Sequence, residues 1–191
     1  ADLGDADLRG VKLVRSVMEG ANLSRANLTG AEVSSALLAK ATLDDAILTD
    51  ASFSSVVLDA ARLERVELRV ARFDSCSFVG VDFCGRDLSR ARFVRCDFTK
   101  AKLAGIKLVQ AELEGASFRE ADLGGANLTE ASAKGAFFGQ ANLEEAKLGR
   151  ARLRYATFTQ AHLSRAQLEG ADLRDGMFDE AVAERASFRN A

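Results

Sequence analysis

The chain repeats every five residues, and the phase of the repeat never slips. Positions whose numbers end in 3 or 8 run from Leu3, Leu8, Leu13, Met18 and Leu23 through to Phe188. They number 38, of which 23 are Leu and 11 are Phe, the others being Met18, Val33, Ala133 and Ala183. Of the chain's 12 Phe, 11 therefore lie in one register. Two residues earlier, at numbers ending in 1 or 6, Ala fills 28 of the 38 units. The exceptions are mostly small or β-branched: Val11, Ser16, Val56, Val66, Cys76, Val81, Cys96, Ile106 and Gly176. Arg86 is the one real violation. The other three positions of each unit are mainly polar or Gly, as in Ala21-Asn22-Leu23-Ser24-Arg25.

A period of five excludes a long helix. Residues five apart advance about 500° around an α-helix, so the Leu series would spiral over every side of it. Within a unit the small residue and the Leu are two apart. In extended backbone that puts both on one face and the residue between them on the other. A short strand with an inward small–large pair, followed by a corner, accounts for all five positions. The corner explains Gly10, Gly20, Gly30, Gly115, Gly125 and Gly135, where an unusual φ is tolerated.

From Ala1 to Asn190 these units resemble the pentapeptide-repeat family. The resemblance implies four units per coil and an all-β fold, a right-handed quadrilateral parallel β-helix. The spacing of aromatic residues supports four units per coil independently. Phe78, Phe98, Phe118, Phe138, Phe158 and Phe178 recur at every fourth unit, and Phe53, Phe73 and Phe93 form a second such series. Each series becomes a column of rings inside the tube. The 38 units then give about nine and a half coils, roughly 45 Å long at about 4.8 Å per coil. One domain over 1–191 is expected. Stability in such a tube comes from neighbouring coils, because one unit cannot bury its Leu alone. No capping helix is legible at either end, so either this is a trimmed module or its ends pair with something. A homodimer is among the expected assemblies.

Composition narrows the chemistry. Apolar residues make up 48% of the chain, with no Pro, no Trp, one Tyr and one His. No apolar run reaches the length of a membrane span and no signal segment is visible, so the cytoplasm is the expected compartment. Three cysteines do not make a disulfide framework. No phosphate loop, nucleophile elbow or metal-spacing cluster occurs, and no catalytic residue, cofactor or metal is expected. His162 stands alone at an outward position, as do the many Asp and Asn, among them Asp2, Asp7, Asn22 and Asn27. These carboxylates and amides are read as bonding to nearby backbone. Cys76 and Cys96, four units apart, are expected to stack inward as a reduced pair, with Cys84 facing solvent. At Arg86 either the coil bulges and the side chain escapes outward, or Asp82 or Asp87 pairs with it, since a lone buried guanidinium is costly.

Two surface features remain. Net charge is −3 over residues 1–50, +4 over 51–110 and −3 over 111–191. The middle holds Arg62, Arg65, Arg69, Arg72, Arg90, Arg92 and Arg95, a possible belt for an acidic partner, with no aromatic interleaving to signal direct nucleic-acid binding. On the face above the long Phe series the outward positions include Val17, Leu37, Val57, Phe137 and Met177, with Val79 nearby. This stripe reads either as a partner surface or as side chains that a distorted coil buries, Phe137 lying beside the Ala133 gap. The function expected is a non-enzymatic protein-interaction or scaffold module on a rod. The family resemblance implies an alternative: its quinolone-resistance branch mimics DNA and binds DNA gyrase or topoisomerase IV. Net charge −2 and the unbroken phase depart from that branch.

Overall fold

The computed structural model describes residues 1–191. Its local unit is a turn. At most units the amide at the Ala position donates to the carbonyl of the preceding Leu position, as in Ala26 to Leu23 (3.1 Å) and Ala126 to Leu123 (2.9 Å); the corners before Ser16, Ala36, Val56, Cys76 and Cys96 lack this bond. The residue just before the donor has φ between 51° and 68° at every corner except Val70. Positive φ at the third of four residues is the type II β-turn. Glycine is the easy residue there, yet 27 of these corners are not glycine and only ten are. Left-handed backbone costs an L-residue about 1–2 kcal/mol. The neighbouring coil offsets it, because the corner amide donates upward: Arg25 to Asp44 (2.9 Å), Gly125 to Glu144 (2.8 Å).

Between corners each unit, save those around the coil of 61–70, pairs with the unit directly above it, one coil further along the chain. The pairing is always parallel, from Asp2 with Asn22 to Gln167 with Ser187. Four columns of such pairs define four sides. Side one carries the Asp2 column, side two the Asp7 column, side three the Lys12 column and side four the Val17 column. Regular strands form only on side three: β1 Lys12–Val14, β2 Glu32–Ser34, β3 Ser52–Ser54, β4 Arg72–Asp74 and β5 Arg92–Val94, in the order β1-β2-β3-β4-β5. That regular sheet is four steps long, shorter than the nine and a half coils counted from repeat units; the remaining steps are single-residue bridges. Of 130 backbone hydrogen bonds only eight lie within regular elements, so turns and bridges carry the ladder. The architecture is an all-β, four-sided parallel solenoid. No helix is long and apolar enough to cross a membrane.

The inward pairs merge into one core of 59 buried residues. The long Phe series stacks nearly parallel, Phe78 on Phe98 at 5.2 Å and 5° through to Phe158 on Phe178 at 4.8 Å and 10°. Phe53, Phe73 and Phe93 form the second column, at 4.9 and 5.2 Å. Where the two columns run side by side their rings meet edge to face, as Phe78 and Phe93 do at 5.6 Å and 88°. Offset stacking and edge-to-face contact are the favourable ring geometries.

The ladder fails around the coil of 61–70. Elsewhere Leu103 donates to Asp122, and Asp122 donates to Ala101. The equivalent bonds from Leu63, Asp82, Leu68 and Asp87 are absent, so this coil parts from the coil above on sides one and two; those from Leu48 and Glu67 are absent as well, so on side two it also parts from the coil below. Sides three and four stay paired there, Phe73 with Phe93 and Ser77 with Asp97. Arg86 is the cause. Its side chain is too large for the Ala position, and it lies half-buried in the opening. Its guanidinium donates to the carbonyls of Leu63 (2.6 Å) and Val66 and sits 5.2 Å from the Phe83 ring. Of the sequence expectations the bulge is correct, but the side chain does not escape outward, and the ion pair with Asp82 or Asp87 does not form. Asp82 faces Lys102 instead (3.8 Å), and backbone carbonyls satisfy the arginine. Burial lowers the Arg86 pKa, with Glu67 opposing that shift. Below the opening Leu68–Val70 winds into one 3-10 turn, and Val70 loses the corner conformation.

Two outcomes follow from this packing. Phe118→Ala removes a fully buried ring with rings on both sides and is expected to cost about 3–5 kcal/mol in urea unfolding. Phe188→Ala, whose ring is 39% exposed, is expected to cost far less, and equal losses would contradict the column model. In native-state hydrogen exchange the amides of Leu63, Leu68, Asp82 and Asp87 are expected to exchange on the order of 100-fold or more faster than those of Leu103, Leu108 and Asp122.

Candidate protein-interaction surface

Most of the solenoid's exterior is satisfied by its own chain. Outward Asp and Asn side chains accept the amide two residues on: Asn22 from Ser24 (3.1 Å), Asp97 from Thr99 (2.9 Å), Asp122 from Gly124 (3.1 Å). They serve the backbone, as expected from the sequence. No three His, Cys, Asp or Glu side chains converge on a metal-sized site, and His162 lies exposed in the side-one column between Asn142 and Val182.

The arginine belt is dispersed and largely paired. Arg62 stands on side one, Arg69 on side two, and Arg72 and Arg92 on side three, while Arg65, Arg90 and Arg95 occupy corners. Arg62 meets Asp44 (2.9 Å), Arg65 meets Asp45 (2.6 Å), Arg69 meets Glu67 (2.8 Å), Arg95 meets Asp74 (2.6 Å), and Arg92 meets Glu112. Arg90 bonds Gln110 (3.1 Å). Arg72 has no carboxylate partner and lies in register with Arg92 across the β4–β5 pair. The pairing shows in the acids. Arg65 holds Asp45, and Arg69 holds Glu67, below the usual carboxylate range. For Asp74 the Ser75 hydroxyl does so first and Arg95 second. Corner residues also form polar ladders that sequence reasoning missed, such as Arg90–Gln110–Glu130 and Gln140–Gln160–Glu180. The signal was there, as polar residues four units apart at numbers ending in 0.

Side four is different. Its outward column is Val17, Leu37, Val57, Ser77, Asp97, Ser117, Phe137, Thr157 and Met177, bridged without a gap. Val17 is 74% exposed, Leu37 43%, Phe137 48% and Met177 52%; Val57 and Val79 are half-buried. Phe137 therefore points to solvent and does not turn in beside Ala133. Beside it a shallow depression of about 200 Å³ is lined by Arg119, Phe137, Gly139, Gln140, Thr157, Thr159 and Gln160. Arg119 is the only charged residue there. The residues of this column lie on separate coils, and only the stacking of coil on coil gathers them into one stripe.

The cysteines stand as the repeat places them. Cys76 and Cys96 are buried and unlinked, Cys84 exposed. The Cys76 thiol lies 3.4 Å from the carbonyls of Phe53 and Asp74, and that of Cys96 3.6 Å from Val94. The hydrogen bond with Cys76, together with burial, pushes the Cys96 thiol up. A maleimide is expected to label the folded chain once, at Cys84, and three times after denaturation. Two or more labels on the folded chain would contradict the closed core.

Comparison with known proteins agrees with this geometry. A family model described as pentapeptide repeats matches residues 1–38, 36–74 and 138–175, and one described as a pentapeptide repeat region matches 71–148. No curated protein matches the chain. Among solved structures, HetL from Nostoc sp. strain PCC 7120, a pentapeptide repeat protein involved in heterocyst differentiation regulation, is 28% identical over 95% of this chain and 89% of its own, with a TM-score of 0.47. Rfr23 from Cyanothece 51142 is 23% identical over 60% of this chain and 88% of its own, with a TM-score of 0.49. Trypsin-treated QnrB1, a plasmid-mediated fluoroquinolone resistance protein, is 17% identical over 99% of this chain and 87% of its own, with a TM-score of 0.50, a likeness of fold. With its repeat, its four-sided ladder and its family match together, this chain belongs to the pentapeptide-repeat family.

Proposed function

We propose that this chain is a non-enzymatic protein-interaction or scaffold module and that side four is its working face. One observation carries the reading. Elsewhere charged side chains largely pair with one another and exposed apolar residues such as Val14, Ile47 and Val182 stand singly, whereas side four presents Val17, Leu37, Phe137 and Met177 to solvent in one straight stripe. Exposed apolar patches of this kind mark partner surfaces.

The alternative is a DNA mimic that binds gyrase or topoisomerase IV, and charge weighs against it. B-form DNA carries one negative charge per about 1.7 Å, so a rod of about 45 Å would need about 26. This chain has 28 acidic and 26 basic residues, a net −2, and many of its acids are held by arginine.

A photo-crosslinking residue at position 157, on side four, separates the readings when compared with one at position 147, on side two. In the source cell, position 157 is expected to capture a protein and position 147 far less of it. Capture at 147 equal to that at 157 would overturn the choice of face. Capture of gyrase or topoisomerase IV subunits would establish the alternative.

A further inference from the structure

The unfastened coil offers a second feature, on side one and independent of the reading of side four. In the regular ladder the upper edge of a side-one unit engages one carbonyl and two amides. Asp122 donates to Ala101, Leu103 donates to Asp122, and Gly105 donates to Gly124. In the unit 61–65 the matching groups, the carbonyl of Ala61 and the amides of Leu63 and Arg65, have no partner. Ala61 is 6% exposed and Leu63 4%. Buried main-chain groups are almost always paired, so a row of orphans is a vacancy with a defined hydrogen-bond pattern.

The row is held ready from below. On side one Arg62 donates to Ala41 (2.9 Å), Leu43 to Arg62 (2.8 Å) and Asp45 to Glu64 (2.9 Å). Arg65 keeps the corner conformation, with φ of 56°, and grips Asp45 through two hydrogen bonds of 2.6 Å. Side two of the same coil is unpaired above and below and winds into the 3-10 turn, so no template survives there. A cavity of about 500 Å³ opens on side one between Ala61, Leu63 and Arg65 on one hand and Asp82 and Arg86 on the other.

We propose that this cavity takes an extended segment of another polypeptide, which adds to the unit 61–65 as a parallel strand. One residue of the segment stands where Asp82 would stand in an unbroken ladder. Its amide donates to Ala61 and its carbonyl accepts from Leu63, while the carbonyl two residues on accepts from Arg65. Strand addition draws its affinity from main-chain bonds of this kind. Charge selects little here: Arg62 is engaged by Asp44 and Glu64, Arg65 by Asp45, and Asp82 faces Lys102. Glu64 and Asp82 in the lining disfavour a lone anion, and three arginines disfavour a lone cation. Size selects more. The residues on either side of the bonding one point into the tube, where Leu63 and Phe83 already fill the core, so both must be Gly or Ala.

Hydrogen exchange of the full chain tests this, with a capped peptide carrying Ala at alternate positions and Ser or Thr between them. At a peptide concentration about ten times its dissociation constant, the Leu63 and Arg65 amides are expected to exchange about tenfold slower, while those of Leu68 and Asp87 on side two keep their rates. Methylating the peptide's Ser and Thr amides, which face the row, is expected to remove the slowing. Arg86→Ala restores the small residue that the repeat requires. It is expected to close the gap, to protect Leu63 and Arg65 without peptide and to abolish binding. A methylated peptide as effective as its parent would overturn strand addition. An Arg86→Ala chain that binds the peptide as tightly as wild type would place the site elsewhere and overturn the proposal. If millimolar peptide leaves the Leu63 and Arg65 rates unchanged in wild type, the cavity holds only water and the proposal fails.

Discussion

Everything in this molecule depends on the backbone hydrogen bonds that join each coil to the next. A single repeat unit buries one small and one large side chain, too little to offset its own ordering. The hydrogen bonds from each corner amide to the next coil make the unit worth forming. They also hold a left-handed corner at most of the 27 non-glycine residues that adopt one. The same step sets rings about 5 Å apart, places Arg65 over Asp45, and gathers residues from nine coils into one stripe on side four. Packing, surface charge and candidate function are three readings of one register.

The two kinds of surface follow from what stands one coil away. Where a polar residue meets a complementary one, as Arg25 meets Asp5 at 2.6 Å, the exterior closes on itself electrostatically. Exposed pairs of this sort contribute little to stability. Their larger effect is to leave few unpaired charges for a partner. Where the neighbours above and below are Val, Leu, Ser and Thr, no such closure exists, and the face stays open to another molecule.

Much of this was legible in the sequence, because a repeat of fixed phase turns numbering into geometry. The Phe columns, the inward Cys76 and Cys96 and the outward Asp and Asn all follow from residue number and side-chain size. The conformation at Arg86 does not. Sequence shows that a guanidinium cannot occupy an Ala position, but several relaxations relieve the clash, an outward bulge and an ion pair with an acid at 82 or 87 among them. Choosing among them requires knowing which ladder bonds yield first. The pairing of the arginine belt was hidden for another reason. Summing charge along the chain makes residues 51–110 basic, whereas the acids that neutralise Arg65 and Arg92 are Asp45 and Glu112, both outside that window.

The opening at Arg86 also has a mechanical meaning. A solenoid paired on all four sides resists bending equally in every plane. Here two adjacent sides are unfastened around the coil of 61–70, side two both above and below it, while sides three and four remain bonded. The rod is therefore compliant in one plane only, flexing about the seam formed by Phe73–Phe93 and Ser77–Asp97. Bending in that plane would change the curvature of side four, tilting the two halves of the stripe about its midpoint. A flat strip of this length matches another surface only at one curvature. A single oversized residue, half-buried on the far side of the tube, thus sets how readily that strip would conform to whatever lay against it.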